Sequence, residues 1–288
     1  MNKIKVIVDS TVDMSLEELN KLDVDMLPLY VSIHGEEYLD YQEIKWDQVI
    51  AKVEQYNELP KTSAINIERF TQAFEKYLSQ GYDVIFLSLG SEFSSNYSNA
   101  VLTAQLLDNK GIYVIDSRNL SSAIGLQVLK ICKMRDEGLS AQEIVDNMKD
   151  IIENTQTETA LETVEYLHKG GRCSGVARFF SSILRLYPIV KIKEGIIKVH
   201  KIGKLKFKNA LDKIVQDFKH DLDENNVDED HIIISTVGNK KAQMYLYDQV
   251  SQFYDPKKIL LFDAGCVVST HCGPGTTGFF YIRKRKVA

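Results

Sequence analysis

Short runs of apolar, β-branched residues alternate with segments of helical periodicity in the first half of the chain. The runs lie at residues 4–8, 84–87 and 112–115, and they lack the polar alternation of a half-exposed strand. Strands that are apolar on both faces are typical of a parallel sheet covered by helices on both sides. The alternation therefore predicts a parallel α/β sheet with right-handed crossovers.

The connecting segments carry apolar residues on one helical face. Residues 70–78 form such a face behind Asn66, a residue type that caps helix N-termini, and residues 97–107 form another. Ser15 and Glu18 have capping-box spacing and predict a short helix after the first strand. Apolar periodicity at residues 144–152 predicts the helix that closes this half.

A second half is expected to begin near Thr157. Strand-like runs at residues 187–192 and 195–200 predict a hairpin. An amphipathic helix over residues 207–222 and a β-α-β unit over residues 232–262 follow. We therefore predict two α/β lobes with a cleft between them, an N-terminal domain at 1–156 and a C-terminal domain at 157–288.

Composition excludes several classes of protein. The chain has 288 residues, enough for about two domains. Its net charge of −5 argues against a surface devoted to nucleic acid, and it has no apolar run approaching the roughly 18 residues of a membrane span. The N-terminus lacks a signal-peptide layout. The scattered cysteines predict reduced thiols and a cytoplasmic location. They are Cys132, Cys173, Cys266 and Cys272.

A glycine-rich segment at residues 273–278 satisfies the G-x-G-x-x-G pattern. A dinucleotide-binding loop would need a strand before it and a helix after it. Residues 279–282 are strand-like, so this context excludes a dinucleotide site. Two interpretations stay open: a turn into a last strand, or a concavity of backbone amides that approaches an anion closely.

Hydroxyl and carboxyl groups follow the predicted strands. Residues 9–11 (Asp-Ser-Thr), 91–95 and 116–118 (Asp-Ser-Arg) occupy these positions, and Thr62 and Ser63 precede a predicted helix. Ligands of open α/β sheets bind outside the carboxyl ends of the strands, so these loops are predicted to meet at one site. The alternative is that each group caps a helix or forms a turn.

The usual signatures of metal and nucleophile sites are missing. Cys266, His271 and Cys272 lack the ligand spacing of a tetrahedral zinc site, so no metal is expected. A Cys272–His271 nucleophilic pair is disfavoured if the segment is a strand, because adjacent strand residues point to opposite faces. The sequence also has no G-x-S-x-G elbow, Walker A loop or H-E-x-x-H motif.

Basic residues flank a glycine pair at residues 169–172. Lys169 and Arg172 could bind a carboxylate, a phosphate or an acidic partner, or they could belong to a solvated turn. A second basic run at residues 283–286 is interpreted as a solvated strand end. With a net charge of −5, neither run predicts a nucleic-acid partner.

Six segments together resemble the DegV family, in family order and across nearly the whole chain. They read Val-Asp-Ser-Thr-Val-Asp at 8–13, Thr-Ser at 62–63, Phe-Ser-Ser-Asn-Tyr at 93–97, Ile-Asp-Ser-Arg at 115–118, Tyr-Leu-His-Lys-Gly-Gly-Arg at 166–172 and His-Cys-Gly-Pro-Gly at 271–275. The resemblance implies a two-lobed fold, with an N-terminal parallel-sheet α/β/α domain and a C-terminal α/β domain.

The family includes the fatty-acid-binding B subunits of bacterial fatty acid kinase. The resemblance therefore implies that the lobes hold one long-chain fatty acid, whose carboxylate a separate ATP-dependent kinase subunit phosphorylates. The chain would be a carrier in phospholipid metabolism, with no catalytic residue, metal or cofactor. Its implied partners are the fatty acid and the kinase, with at most a transient membrane contact.

The resemblance also assigns residues. Carboxylate binding is implied for Thr62, Ser63, Ser94, Ser95, His271 and Gly273. Kinase docking is implied for Lys169 and Arg172. Two segments depart from the family, which usually reads T-S-Q-P-S at residues 62–66 and L-S-G-T-Y at residues 93–97. These departures are expected to alter the head-group site, since the serine in place of glycine costs backbone freedom.

Physical chemistry is compatible with a lipid carrier. Burying a methylene contributes about 0.8 kcal/mol, so a chain of about 16 carbons offers about 12 kcal/mol before ordering costs. Residues 179–184 could line the acyl tunnel or belong to an ordinary core. Two other functions stay open: a hydrolase or phosphotransferase that uses Asp9, Ser94, Asp116 and His271 directly, and a regulatory protein that senses a lipid.

Overall fold

The computed structural model describes residues 3–108, 110–171 and 185–284. The strands are β1 (Lys3–Asp9), β2 (Val24–Leu27), β3 (Tyr30–Ile33), β4 (Glu36–Leu39), β5 (Lys61–Ser63), β6 (Tyr82–Ser88), β7 (Ile112–Asp116), β8 (Thr155–Ala160), β9 (Leu186–Lys193), β10 (Ile196–Lys204), β11 (Ile232–Thr236), β12 (Ile259–Asp263) and β13 (Thr277–Ile282). The helices are α1 (Leu16–Lys21), α2 (Trp46–Tyr56), α3 (Ile67–Leu78), α4 (Asn96–Leu106), α5 (Ser122–Asp136), α6 (Ala141–Asn154), α7 (Glu165–Lys169), α8 (Lys208–Asp223), α9 (Lys240–Val250) and α10 (Cys266–Cys272).

The first sheet confirms the predicted parallel core. Its order is β2-β1-β6-β7, and every neighbouring pair is parallel. Strands β1 and β6 each bury their last five residues. Helix α3 begins behind Asn66, whose side chain accepts a hydrogen bond from the Arg69 amide. This helix packs Phe70 and Phe74 against Phe86 of β6, so its predicted apolar face covers the sheet.

The six-stranded sheet contains the predicted hairpin and β-α-β unit. Its order is β10-β9-β8-β13-β11-β12, and only β11 and β12 pair in parallel. The β9–β10 hairpin turns at Glu194 and Gly195, which both have positive φ, as a two-residue turn of this kind requires. A smaller antiparallel sheet, β4-β3-β5, carries Thr62 in β5.

Helix α5 lies between the first sheet and the six-stranded sheet, and the sequence analysis did not predict it. Its first-sheet side carries Ile124, Val128 and Ile131, and its other side carries Ala123 and Leu126, which cluster with side chains of β11 and β13. A helix that is buried around most of its circumference shows no amphipathic period. The pattern that predicted the other helices is therefore absent here.

The segment that contains His271 and Cys272 is helical, so its treatment as a strand is wrong. Both residues lie in the last turn of α10. Val267, Val268 and Thr270 give the segment the β-branched composition of a strand. Interactions from outside the segment fix the helix instead.

Two carboxylates of the N-terminal half cap α10. Asp40 accepts hydrogen bonds from the amides of Cys266 at 2.9 Å and Val267 at 3.3 Å. Asp13 accepts from the amide of Gly265 at 2.7 Å. Because Gly265 has no side chain to cap the helix, the first amides of α10 are satisfied by residues more than 200 positions away.

Asp13 is expected to make stability fall with rising pH. Burial raises the pKa of Asp13 well above its ordinary value, and the nearby Asp40 adds to the shift. A carboxyl group with a raised folded-state pKa contributes stability at acidic pH that is lost as pH rises through that pKa. Asp13→Asn should therefore flatten the fall in unfolding free energy as pH rises above the ordinary range of an aspartate, measured by chemical denaturation.

The matched control is Asp248→Asn, at an exposed position of α9. This variant should keep the pH slope of the unmodified chain. A slope that is the same in Asp13→Asn as in the unmodified chain would contradict the assignment of the raised pKa to Asp13.

Candidate functional site

A cavity of about 280 Å³ lies where the carboxyl ends of the first sheet meet α10. Residues from both halves of the chain form its wall. They are Thr11, Leu29, Thr62, Ser63, Ala64, Leu89, Phe93, Ser94, Ser95, Leu120, Leu167, Ile197, Val267, Val268, His271 and Cys272. An apolar wall with a few polar groups is the usual composition of a small-molecule site.

A hydroxyl–imidazole pair provides the central polar contact. Thr62 Oγ1 lies 2.8 Å from His271 Nε2, which joins β5 to the last turn of α10. Both side chains are half-buried and line the cavity. Such a pair can offer hydrogen-bond donors to an anionic oxygen atom.

Three more serine and threonine residues predicted from strand ends reach the same cavity wall. Ser94 and Ser95 come from the loop after β6, and Thr11 comes from the loop after β1. Ser94 Oγ accepts a hydrogen bond from the Asn96 amide at 3.2 Å, which fixes its rotamer while its own hydrogen remains a donor. Ser63 lines the cavity beside Thr62.

Asp9 holds these loops together through hydrogen bonds. It is completely buried and accepts hydrogen bonds from the hydroxyl and amide of Thr11, from the Leu89 amide and from the Asn96 side chain. Burial raises the pKa of Asp9, and these hydrogen bonds oppose that rise. All four donors lie in the segments that follow β1 and β6 at the carboxyl end of the sheet, so Asp9 fixes their mutual placement.

Other strand-end residues act as caps and turns, which is the alternative left open by the sequence. Asp116 accepts from the Ser91 amide at 3.1 Å, the Ser91 hydroxyl at 2.6 Å and the Arg118 amide at 2.9 Å. Ser117 is buried and bonds to Asn119. These residues are not part of the cavity wall that the structure describes.

The glycine-rich segment forms a turn into β13, as the first of the two interpretations predicts. Gly273 and Gly275 both have positive φ, and their amides donate to the carbonyls of Ser269 and Val237 at 2.8 Å. Because these two amides already have acceptors, they are not directed at an anion. Gly273 itself does not line the described cavity, although its neighbours His271 and Cys272 do.

The basic segment begins at the end of α7, beside the site. Lys169 Nζ lies 2.7 Å from Glu165 Oε1 within the same helix. A Cβ at Gly170 would stand 2.7 Å from His271 Nδ1, so only glycine lets this turn approach the imidazole. Arg172, and the tunnel candidates at residues 179–184, lie outside the described residues.

Within residues 3–108, 110–171 and 185–284, one group of three side chains has metal-ligand spacing: Glu158, His200 and Asp217. Lysine ammonium groups already pair with these carboxylates. Lys191 Nζ lies 2.8 Å from Glu158 Oε1, and Lys201 bonds to Asp217. Burial raises the pKa of Glu158 to about 7, which Lys191 opposes. This cluster is a partly buried ion-pair network, and none of its residues lines the cavity.

The cysteines near the site are poor nucleophiles. Burial raises the pKa of Cys272 to about 12 and raises that of Cys266 further. Cys266 Sγ also donates to the Ile44 carbonyl at 3.4 Å. Because residues 266–272 are helical, strand alternation no longer argues against a Cys272–His271 nucleophilic pair. The pair is still disfavoured, because a thiol with a raised pKa stays protonated and a protonated thiol is a weak nucleophile.

Sequence reasoning missed most of the apolar wall and the residues that hold the loops. Leu29, Leu167 and Ile197 come from three separated elements, and no local pattern marks them as neighbours. Asn96 was noted only as a departure from the family pattern. Its position at the start of a helix, after a serine-rich loop, was the one available signal of a structural role.

Comparisons with known proteins agree with this architecture. Residues 3–284 match the family described as "Uncharacterised protein, DegV family". A DegV domain-containing protein of Clostridium acetobutylicum is 30% identical over 284 residues, which cover 99% of this chain and 100% of that protein.

Two solved structures are also similar over nearly all of both chains. A fatty-acid-binding DegV family protein from Thermus thermophilus is 26% identical, with a TM-score of 0.90 over 99% of this chain and 100% of that one. A stearic-acid-binding protein from Eubacterium ventriosum is 27% identical, with a TM-score of 0.86 over 100% of each chain. The family match over 3–284 and the 30% identity over full length establish that this chain belongs to the DegV family.

Proposed function

We propose that this protein binds a long-chain fatty acid between its halves and presents the carboxylate to a separate ATP-dependent kinase subunit. The observation that carries the proposal is the cavity whose wall combines apolar side chains with the Thr62–His271 pair. Relatives of the same fold are described as fatty-acid-binding proteins, one of them with stearic acid. In this proposal the carboxylate lies near Thr62, Ser94 and His271.

The chemistry of the wall suits such a ligand. A carboxylate accepts several hydrogen bonds, and the hydroxyls of Thr62 and Ser94 with the imidazole of His271 supply donors. Apolar side chains on the remaining wall remove methylenes from water. Ser63 and Ser95 also line the cavity and add two more hydroxyl groups to the proposed head-group site.

Direct catalysis by these loops, the alternative function, has less support. Asp9 is completely buried and saturated with donors, and Asp116 caps its own loop. Neither carboxylate lines the described cavity, so neither is placed to act as a general base there. The group transfer is therefore assigned to the partner, and the chain supplies the bound substrate.

The proposed kinase-docking face adjoins the carboxylate site. Lys169 is about half exposed at the end of α7, and the next residue, Gly170, packs against His271. A partner that contacts Lys169 would thus approach the ligand from the imidazole side. The same geometry would let contact at this turn alter the position of His271.

The proposed setting is the cytoplasm, in phospholipid metabolism. Cys132, Cys266 and Cys272 are free thiols, which supports a reducing compartment. Among the residues that the structure describes, no helix is both long enough and apolar enough to cross a membrane.

Denaturing organic extraction followed by mass spectrometry tests the ligand directly. Purified protein should release about one long-chain fatty acid per chain. A Ser94→Ala, His271→Ala double variant should retain at least about tenfold less, because two donors to the carboxylate are lost. Ser251→Ala, at the C-terminal end of α9 and outside the cavity wall, is the matched serine control and should retain the wild-type amount.

An empty extract from protein that also fails to take up added fatty acid would refute the carrier function. Fatty acid retained equally by the double variant would refute the head-group assignment alone.

Gly170 is expected to couple the docking turn to His271. Gly170→Ala should cost about 1–3 kcal/mol of unfolding free energy, because the added methyl group meets the imidazole. The cost should shrink when His271→Ala removes the ring. A double-mutant cycle by chemical denaturation measures this coupling, and additive effects would contradict the contact.

Charge reversal tests the docking face. Lys169→Glu and Arg172→Glu should each reduce kinase-dependent acyl phosphate formation by about tenfold while the fatty acid stays bound. Lys149→Glu, an exposed lysine on α6, is the control and should leave turnover unchanged. Full turnover by both docking variants would remove this role from the segment.

A further inference from the structure

Ile65 and Asn96, which lie close in the chain to residues of the cavity wall, contact each other in the structure. The Ile65 amide donates to Asn96 Oδ1 at 3.2 Å. Both residues are completely buried.

The contact satisfies a buried donor. Ile65 places its backbone N–H group in a buried environment, where an unpaired donor is costly. Asn96 supplies the acceptor. A threonine hydroxyl has only one oxygen, so it cannot place separate donor and acceptor atoms on two different segments as a carboxamide does.

The other end of the Asn96 carboxamide reaches the buried carboxylate. Asn96 Nδ2 donates to Asp9 Oδ2 at 2.8 Å, and the Asn96 backbone amide donates to Ser94 Oγ at 3.2 Å. Asn96 thus joins three segments: the end of β1 through Asp9, the loop after β6 through Ser94, and the segment after β5 through Ile65. Asn99, one turn along α4, adds a hydrogen bond from Nδ2 to the Ile65 carbonyl at 2.8 Å.

Each linked segment carries a polar residue of the cavity wall. Thr62 lies three residues before Ile65, Ser94 lies two residues before Asn96, and Thr11 shares Asp9 as its acceptor. Asn96 itself does not line the cavity. Its position is therefore that of a residue that acts on the ligand through others.

We propose that Asn96 is the positioning residue of the head-group site, because its carboxamide joins the Ile65 amide to the Asp9 carboxyl group. The proposal deepens the function proposed above and rests on it. It makes Asn96 responsible for selectivity towards the carboxylate, while the apolar wall sets affinity for the acyl chain.

The test compares two ligands with the same chain, octadecanoic acid and octadecan-1-ol, in equilibrium binding to the purified protein. Asn96→Ala should lower the preference for the acid over the alcohol by about tenfold and leave alcohol binding within about threefold of wild type. If Asn96 had only a structural role, the variant would bind the acid and the alcohol more weakly by the same factor. Hydrogen exchange at Ile65, followed by mass spectrometry, should become fast in the variant because its acceptor is gone.

The matched control is Gln243→Ala, which removes another buried carboxamide. Gln243 Nε2 joins the carbonyls of Ile234 and Phe262 at 2.9 and 2.7 Å, away from the cavity. This variant should lose stability and keep the preference for the acid. If Asn96→Ala does not fold, Asn96→Thr provides the same readout, with loss in the same direction.

The double variant Ile65→Pro, Asn96→Thr tests the link to Ile65, since it removes the buried donor together with its acceptor. It should recover a preference within about threefold of wild type. An undiminished preference in both Asn96→Ala and Asn96→Thr would overturn the positioning role, and failure of the double variant to recover would overturn the part of that role assigned to the Ile65 contact. A wild-type chain that binds neither lipid would instead refute the proposed function, which separates the two failures.

Discussion

The capping of α10 by Asp13 and Asp40 is the interaction on which the site depends. Helix α10 belongs to the C-terminal half of the sequence, yet its first amides are satisfied only by carboxylates of the N-terminal half. A short helix that begins at glycine lacks its own cap, so these hydrogen bonds fix both its start and its direction. The last turn of this helix carries His271 to Thr62. Loss of the caps would therefore be expected to displace the imidazole from Thr62.

Close packing around the helix start makes this arrangement specific. A Cβ at Gly265, the residue before α10, would overlap the ring of Tyr41, so a larger residue there would have to displace that ring. At the other end, the turn at Gly170 lies against the His271 ring. The imidazole is thus held from two directions, by a helix whose start is closely packed and by a turn in which an added methyl group would meet the ring.

The parallel sheet could be predicted because its signals are local. Residues 4–8, 84–87 and 112–115 are apolar on both faces, and the Asn66 and Ser15 caps mark helix starts. Helix α5 could not be predicted, since burial on opposite sides removes its periodicity. The helical state of residues 266–272 could not be predicted either, because its caps lie in another part of the chain.

The candidate site divides in the same way. The sequence by itself determined the fold class, the hairpin, the β-α-β unit and the polar residues after the strands, because each depends on neighbours within a few positions. Only the tertiary structure decided which of those polar residues face the cavity, which ones cap their own loops, and that Asn96 serves Ile65 and Asp9 together. A polar side chain takes whichever partner packing brings within reach, and for buried groups that partner is distant in sequence.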